Sequence, residues 1–131
     1  MSWSTVTARP GRALCAALLV AAALAPAGCA SLPPARQVTD VNLIAGRWRG
    51  QIVFGRGPYQ LFYLTINPDG TLVASWDGAT RWGKVTVEGG RARFNFYIWS
   101  GNLDYLEGGG DRVILLKEDF SHWDAIVRPL R

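Results

Sequence analysis

Arg91-Ala92-Arg93-Phe94-Asn95-Phe96-Tyr97-Ile98-Trp99 is the stretch on which the fold turns. Ala92, Phe94, Phe96 and Ile98 alternate with Arg91, Arg93, Asn95 and Tyr97. Successive side chains of an extended chain point to opposite faces, so this alternation predicts a strand over residues 91–99 with one face in a core. Gly89-Gly90 precedes it, and two glycines accept the positive φ angles of a two-residue hairpin. The hairpin partner is residues 81–88, where Val85 and Val87 alternate with Lys84 and Thr86.

The same pattern extends in both directions. Towards the N-terminus, Asp77-Gly78 is a turn and residues 71–76 align Leu72, Ala74 and Trp76. Asn67-Pro68-Asp69-Gly70 is a second turn, with Pro presetting φ and Gly taking the left-handed position. Residues 60–66 then align Phe62, Leu64 and Ile66, and residues 47–54 align Trp48, Ile52 and Phe54. Towards the C-terminus, Ser100-Gly101-Asn102 reads as the end of the central strand, and residues 103–107 read as a short strand. Gly108-Gly109-Gly110 reads as a flexible connector, followed by strands over 111–117 and 123–128. Asp40 is placed to cap a helical turn before the first strand. About eight short strands with short links predict an all-β, antiparallel up-and-down meander. Closure into a small barrel removes exposed edges; a strongly bent, incompletely closed sheet is the alternative.

The N-terminus gives an address. Arg9 and Arg12 are followed by an uncharged apolar run over residues 13–25 and then by small residues, the order of a secretory signal. The run is too short for the roughly 20 residues that cross a bilayer as a helix. Ala27-Gly28-Cys29 resembles the lipobox of bacterial lipoproteins. That resemblance implies cleavage before Cys29, acylation of its thiol, and attachment to a membrane. Ala30 after the cysteine goes, in Gram-negative members, with the outer membrane facing the periplasm. Cleavage after Ala25-Pro26-Ala27 is the other reading, and leaves a soluble exported protein. Cys15 and Cys29 are the only cysteines, so the mature domain has no intramolecular disulfide. The expected organisation is a signal over 1–28, a lipidated cysteine and flexible tether over 29–40, and a barrel domain over 41–131.

Removing Arg9 and Arg12 takes the 14 basic residues to 12, against 10 acidic, so the mature charge is small and gives no electrostatic footprint for nucleic acid. Arg beside aromatics on residues 91–99 could form a stacking platform, but an exported protein does not meet cytoplasmic nucleic acid. One histidine, His122, stands near Asp119, Ser121 and Asp124. Adjacent turn residues diverge, whereas a Ser-His-Asp triad must converge, so no catalytic residue is expected. One histidine without a mature-domain thiol beyond Cys29 falls short of a zinc set. Gly108-Gly109-Gly110 lacks the phosphate-loop pattern. Neither a metal nor a cofactor is expected.

Gly46-Arg47-Trp48 is similar to the G-x-W that opens lipocalin-like barrels. The resemblance implies that Trp48 closes the barrel floor with a basic residue packed on it, and Arg128 on the last strand is the expected partner. The export address, the eight strands and the aromatic inner face together point to a non-catalytic binding module for an apolar small molecule or lipid, with Trp76, Trp82, Phe94 and Phe96 as candidate ligand contacts. The alternative is a solid barrel that contacts another envelope protein or a polysaccharide. Its expected contact is an outer patch of Tyr63, Arg93, Tyr97 and Trp99.

Overall fold

The computed structural model describes residues 31–131, so the signal at 1–28 and Cys29 lie outside the described residues. Nine strands follow in order: β1 (Ala35–Arg36), β2 (Gly46–Phe54), β3 (Gln60–Ile66), β4 (Thr71–Trp76), β5 (Ala79–Glu88), β6 (Arg91–Phe96), β7 (Trp99–Gly108), β8 (Asp111–Glu118) and β9 (Trp123–Pro129). Strands β2 to β9 pair antiparallel with their sequence neighbours, and β9 returns to β2 from Trp48↔Pro129 to Phe54↔Trp123. The sheet is therefore a closed eight-stranded barrel, as the alternation predicts. Asp40 caps one 3-10 turn, Val41–Leu43, its Oδ1 accepting from the Asn42 N–H at 2.9 Å.

The inward face carries Trp48, Phe62, Leu64, Ile66, Leu72, Ala74, Phe94, Leu103, Ile114, Leu116 and Val127, all buried in one cluster. No helix among the described residues is long and apolar enough to cross a membrane.

Three segments differ from expectation. The central strand ends at Phe96, and Tyr97-Ile98 forms the turn, so Trp99 opens a ten-residue β7 that runs through Gly101. Gly101 has the local signature of a terminator, but it faces the interior where strands lie too close for a side chain. Gly108 closes β7, and Gly109-Gly110, with φ of +59° and +81°, forms a tight two-residue turn rather than a flexible link. The tether expected over 29–40 is also shorter. β6 leaves β7 after Ala92↔Leu103, and β1 takes the vacated edge through Arg36↔Tyr105 and Ala35↔Leu106. Val38 donates to Gly90 O at 2.8 Å and is buried, so the domain starts at Pro33.

The floor is closed by Trp48, whose Nε1 donates to Ile44 O at 3.0 Å. The basic residue over it is Arg112, with its guanidinium carbon 5.1 Å from the Trp48 ring centroid, and not Arg128. Inward positions of β9 are Trp123, Ala125 and Val127, which turns Arg128 outward to Asp111 at 3.4 Å. On β8 the inward set includes Ile114 and Leu116, and Arg112 belongs to it.

Candidate functional site

The opposite end of the barrel gathers the turns β2–β3, β4–β5, β6–β7 and β8–β9. Inward positions near this end carry rings: Phe54, Trp76, Phe96, Trp99 and Trp123. Trp99 lies 5.7 Å from Trp76 and 5.9 Å from Trp123 by ring centroids, and Phe96 lies 5.6 Å from Trp123. Phe94 stacks on Phe96 at 5.4 Å. Tilted and edge-on contacts at these spacings match the charge distribution of aromatic rings and fill the barrel axis.

Trp76, Phe94 and Phe96 face inward as expected, but they pack on one another. Trp82 does not join them: it is 70% exposed on the outer face of β5. Val85 on β5 points inward, so the period of two places residue 82 with Lys84 and Thr86 outside. The expected outer patch also separates. Tyr63 lies under Arg49, at 5.9 Å. Arg93 is held by Asn102 at 2.9 Å and by Asp119 at 2.6 Å, which fixes the Asp119 carboxyl below its ordinary range. Tyr97 and Trp99 instead share Arg81, at 5.4 and 5.7 Å.

The Asp119, His122 and Asp124 group is likewise divided. Asp124 sits on β9 opposite Lys117. His122 turns its Nδ1 to Glu118 at 2.6 Å. Among the described residues, no group of three or more His, Cys, Asp and Glu is placed to hold a metal ion.

Glu118 is the partner that sequence reasoning missed. Its inward side chain, 4% exposed as a residue, accepts from the Phe120 N–H at 2.7 Å and the His122 N–H at 2.9 Å. Burial raises its pKa, but these two bonds and the His122 ring outweigh burial, and the net shift is downward. A carboxyl held low in the fold adds stability above its unfolded pKa and loses it as pH falls through the folded value. Glu118→Gln is therefore expected to flatten the acid limb of the stability curve below about pH 4.5, the ordinary value for the group. Urea unfolding followed by circular dichroism between pH 7 and pH 2 measures this. Superimposable acid limbs in the two proteins would mean that Glu118 gains nothing from its cradle.

Beside this carboxylate lies an apolar surface. Tyr97 is 66%, Ile98 75% and Phe120 81% exposed, although all three are large and apolar. Ile98 and Phe120 line one shallow groove of about 190 Å³ together with Trp99, Glu118 and His122. Tyr97 has φ of +56° at the first position of a two-residue turn, where glycine is the unstrained choice. Holding a bulky residue there costs about 1–3 kcal/mol.

Arg81 completes this end. It is an inward position of β5, and its guanidinium carbon lies 4.1 Å from the Trp76 ring centroid. Its Nη1 is buried without a hydrogen-bond partner among the described residues, as is Trp123 Nε1. No family model matches the chain, and comparison with curated proteins and with solved structures gives no match either.

Proposed function

We propose that the protein is an exported, non-catalytic docking module, anchored through an acylated Cys29, whose aromatic end binds another protein of the cell envelope. The observation that carries this reading is the exposure of Tyr97, Ile98 and Phe120 on two neighbouring turns, with Tyr97 kept in a strained conformation. Tyr97 meets Trp99 at 5.3 Å and Arg81 at 5.4 Å, yet two thirds of it stays exposed in a strained backbone conformation, which favours a role outside the fold. The small-ligand reading draws less support, because the rings expected to line a ligand pack against each other along the axis.

Pro33 and Pro34 lie beside Gly108, at the far end of β7 from the Tyr97-Ile98 turn, so the described domain begins at the end opposite its aromatic rings.

Photo-crosslinking in the native envelope tests the proposal. A photoreactive residue at Phe120 is expected to give one dominant protein adduct, and one at Asp69, on the opposite end, is expected not to. Tyr97→Gly is expected to lower adduct yield while changing stability by less than about 1 kcal/mol, because the released strain is offset by the entropy of glycine and the lost contacts with Trp99 and Arg81. Adducts equal from both positions, or only to lipid or polysaccharide, would overturn the proposal. Intact mass of the mature protein reports the anchor: residues 29–131 plus acyl groups is expected, and an unmodified chain from Gly28 would overturn it.

A further inference from the structure

We propose that Arg81 makes the aromatic end a carboxylate-binding site, and that the docking partner presents there an Asp or Glu side chain flanked by apolar residues. This rests on the docking reading above and names the chemistry of the partner. Three observations converge. Arg81 has no ion pair among the described residues, although its Nη1 is buried. A buried charge-bearing donor without an acceptor is rare, because desolvation is then uncompensated. Trp123 Nε1, a second orphaned donor, lies in the same ring cluster, where Trp99 touches both Trp76 and Trp123. Tyr97, the strained residue, sits over the guanidinium at 5.4 Å.

The kind of anion follows from the walls. Arg81 is stacked among Trp76, Tyr97 and Trp99, so a single positive charge faces otherwise apolar rings. A planar monoanion matches one guanidinium and its parallel N–H groups. A phosphate dianion would bring a second charge into this setting without a counter-charge. Ile98 and Phe120, exposed on the neighbouring turns, supply apolar contacts for residues on either side of the acid. Exposed aromatic and aliphatic side chains around a partly buried arginine have the composition of a protein interface centre.

The mature protein, with ¹⁵N-indole-labelled tryptophan, is titrated with acetyl-Leu-Glu-Leu-amide and with its Gln twin. The Trp99 and Trp123 indole resonances are expected to shift with the Glu peptide at a concentration about tenfold lower than with the Gln peptide. Arg81→Gln is expected to abolish that difference; Arg81→Lys, which keeps the charge but not the fork, serves if the Gln variant fails to fold, and is expected to reduce it. Equal shifts with both peptides, or a difference that survives Arg81→Gln, would overturn the site. Shifts reproduced by acetate at the same concentration would overturn a peptide as the source of the acid. The crosslink from position 120 separates this inference from the docking reading. An undiminished adduct in Arg81→Gln overturns the carboxylate site alone, whereas no adduct in any variant overturns docking and the site with it.

Discussion

Alanine at Gly101, Gly83 or Gly50 is expected to cost about 3 kcal/mol or more of folding stability at each position, from the addition of one methyl group. A Cβ at Gly101 would lie 2.0 Å from Lys117 O and 2.6 Å from the Phe94 ring. At Gly83 it would lie 1.9 Å from Asn95 O and 2.5 Å from Phe96 Cβ, and at Gly50 1.8 Å from Ile126 O. In each case the nearest obstacle is the backbone of a paired strand, which cannot rotate away as a side chain can. These glycines sit where strands bend towards the axis, and missing side chains there let the sheet coil tightly enough to close. Phe94 and Phe96 cover two of them, and so recover the packing that glycine forgoes. A loss of this size is a large part of the 5–15 kcal/mol of a typical domain, about 100 residues being a size where a single core is only moderately stable. Guanidinium unfolding of the three variants checks the expectation against Gly78→Asn, where the new Cβ meets nothing within 4 Å and asparagine tolerates the φ of +71°. Losses below about 1 kcal/mol at all three sites would mean that the strands part without cost.

These glycines also mark the limit of what the sequence discloses. Strands β2, β3, β4 and β6 are legible because one face of each is buried and the other wet, so the period of two is plain. Gly101 hides within β7, because glycine is both the commonest punctuation of a turn and the residue needed for close approach of backbones. In β8, Val113, Ile114 and Leu116 are all buried, so the run is apolar on both faces and no alternation reveals that Arg112 and Glu118 point inward. The Tyr97-Ile98 turn is illegible for the opposite reason: its residues are those of a strand, and the turn exists by tertiary context against local preference. Ile98 reads as core for the same cause, since an apolar side chain carries no sign that it will be left exposed. Arg81 stands at the start of its strand with no local pattern that marks it as inward. Only the closed barrel sets it over Trp76.

Arg112→Ala is expected to destabilise the barrel by about 2–4 kcal/mol, and Arg128→Ala by less than about 0.5 kcal/mol. Both residues are arginines with aliphatic stems that reach barrel strands, and the difference lies in what each guanidinium holds. Arg112 Nε donates to the Tyr105 hydroxyl at 2.9 Å and its Nη2 to Leu43 O at 2.8 Å. Its charge also faces the Trp48 and Tyr105 rings, at 5.1 and 5.7 Å. One side chain thus ties β8 to β7, to the entering 3-10 turn and to the floor tryptophan. Charged hydrogen bonds of this kind contribute about 1.5–3 kcal/mol, and a cation over a ring about 0.5–2 kcal/mol, and the parts share one group and so do not add in full. Arg128 has one long contact, 3.4 Å to Asp111 with both side chains about half exposed, which solvent screens. Urea unfolding of the two variants measures the contrast. Equal and small losses would show that Trp48 closes the floor by packing alone, and a larger loss at Arg128 would restore the pairing that the G-x-W resemblance implies. The contrast is decisive because the two positions share residue type and end of the barrel, and differ only in the face of the strand that the closed register assigns to each.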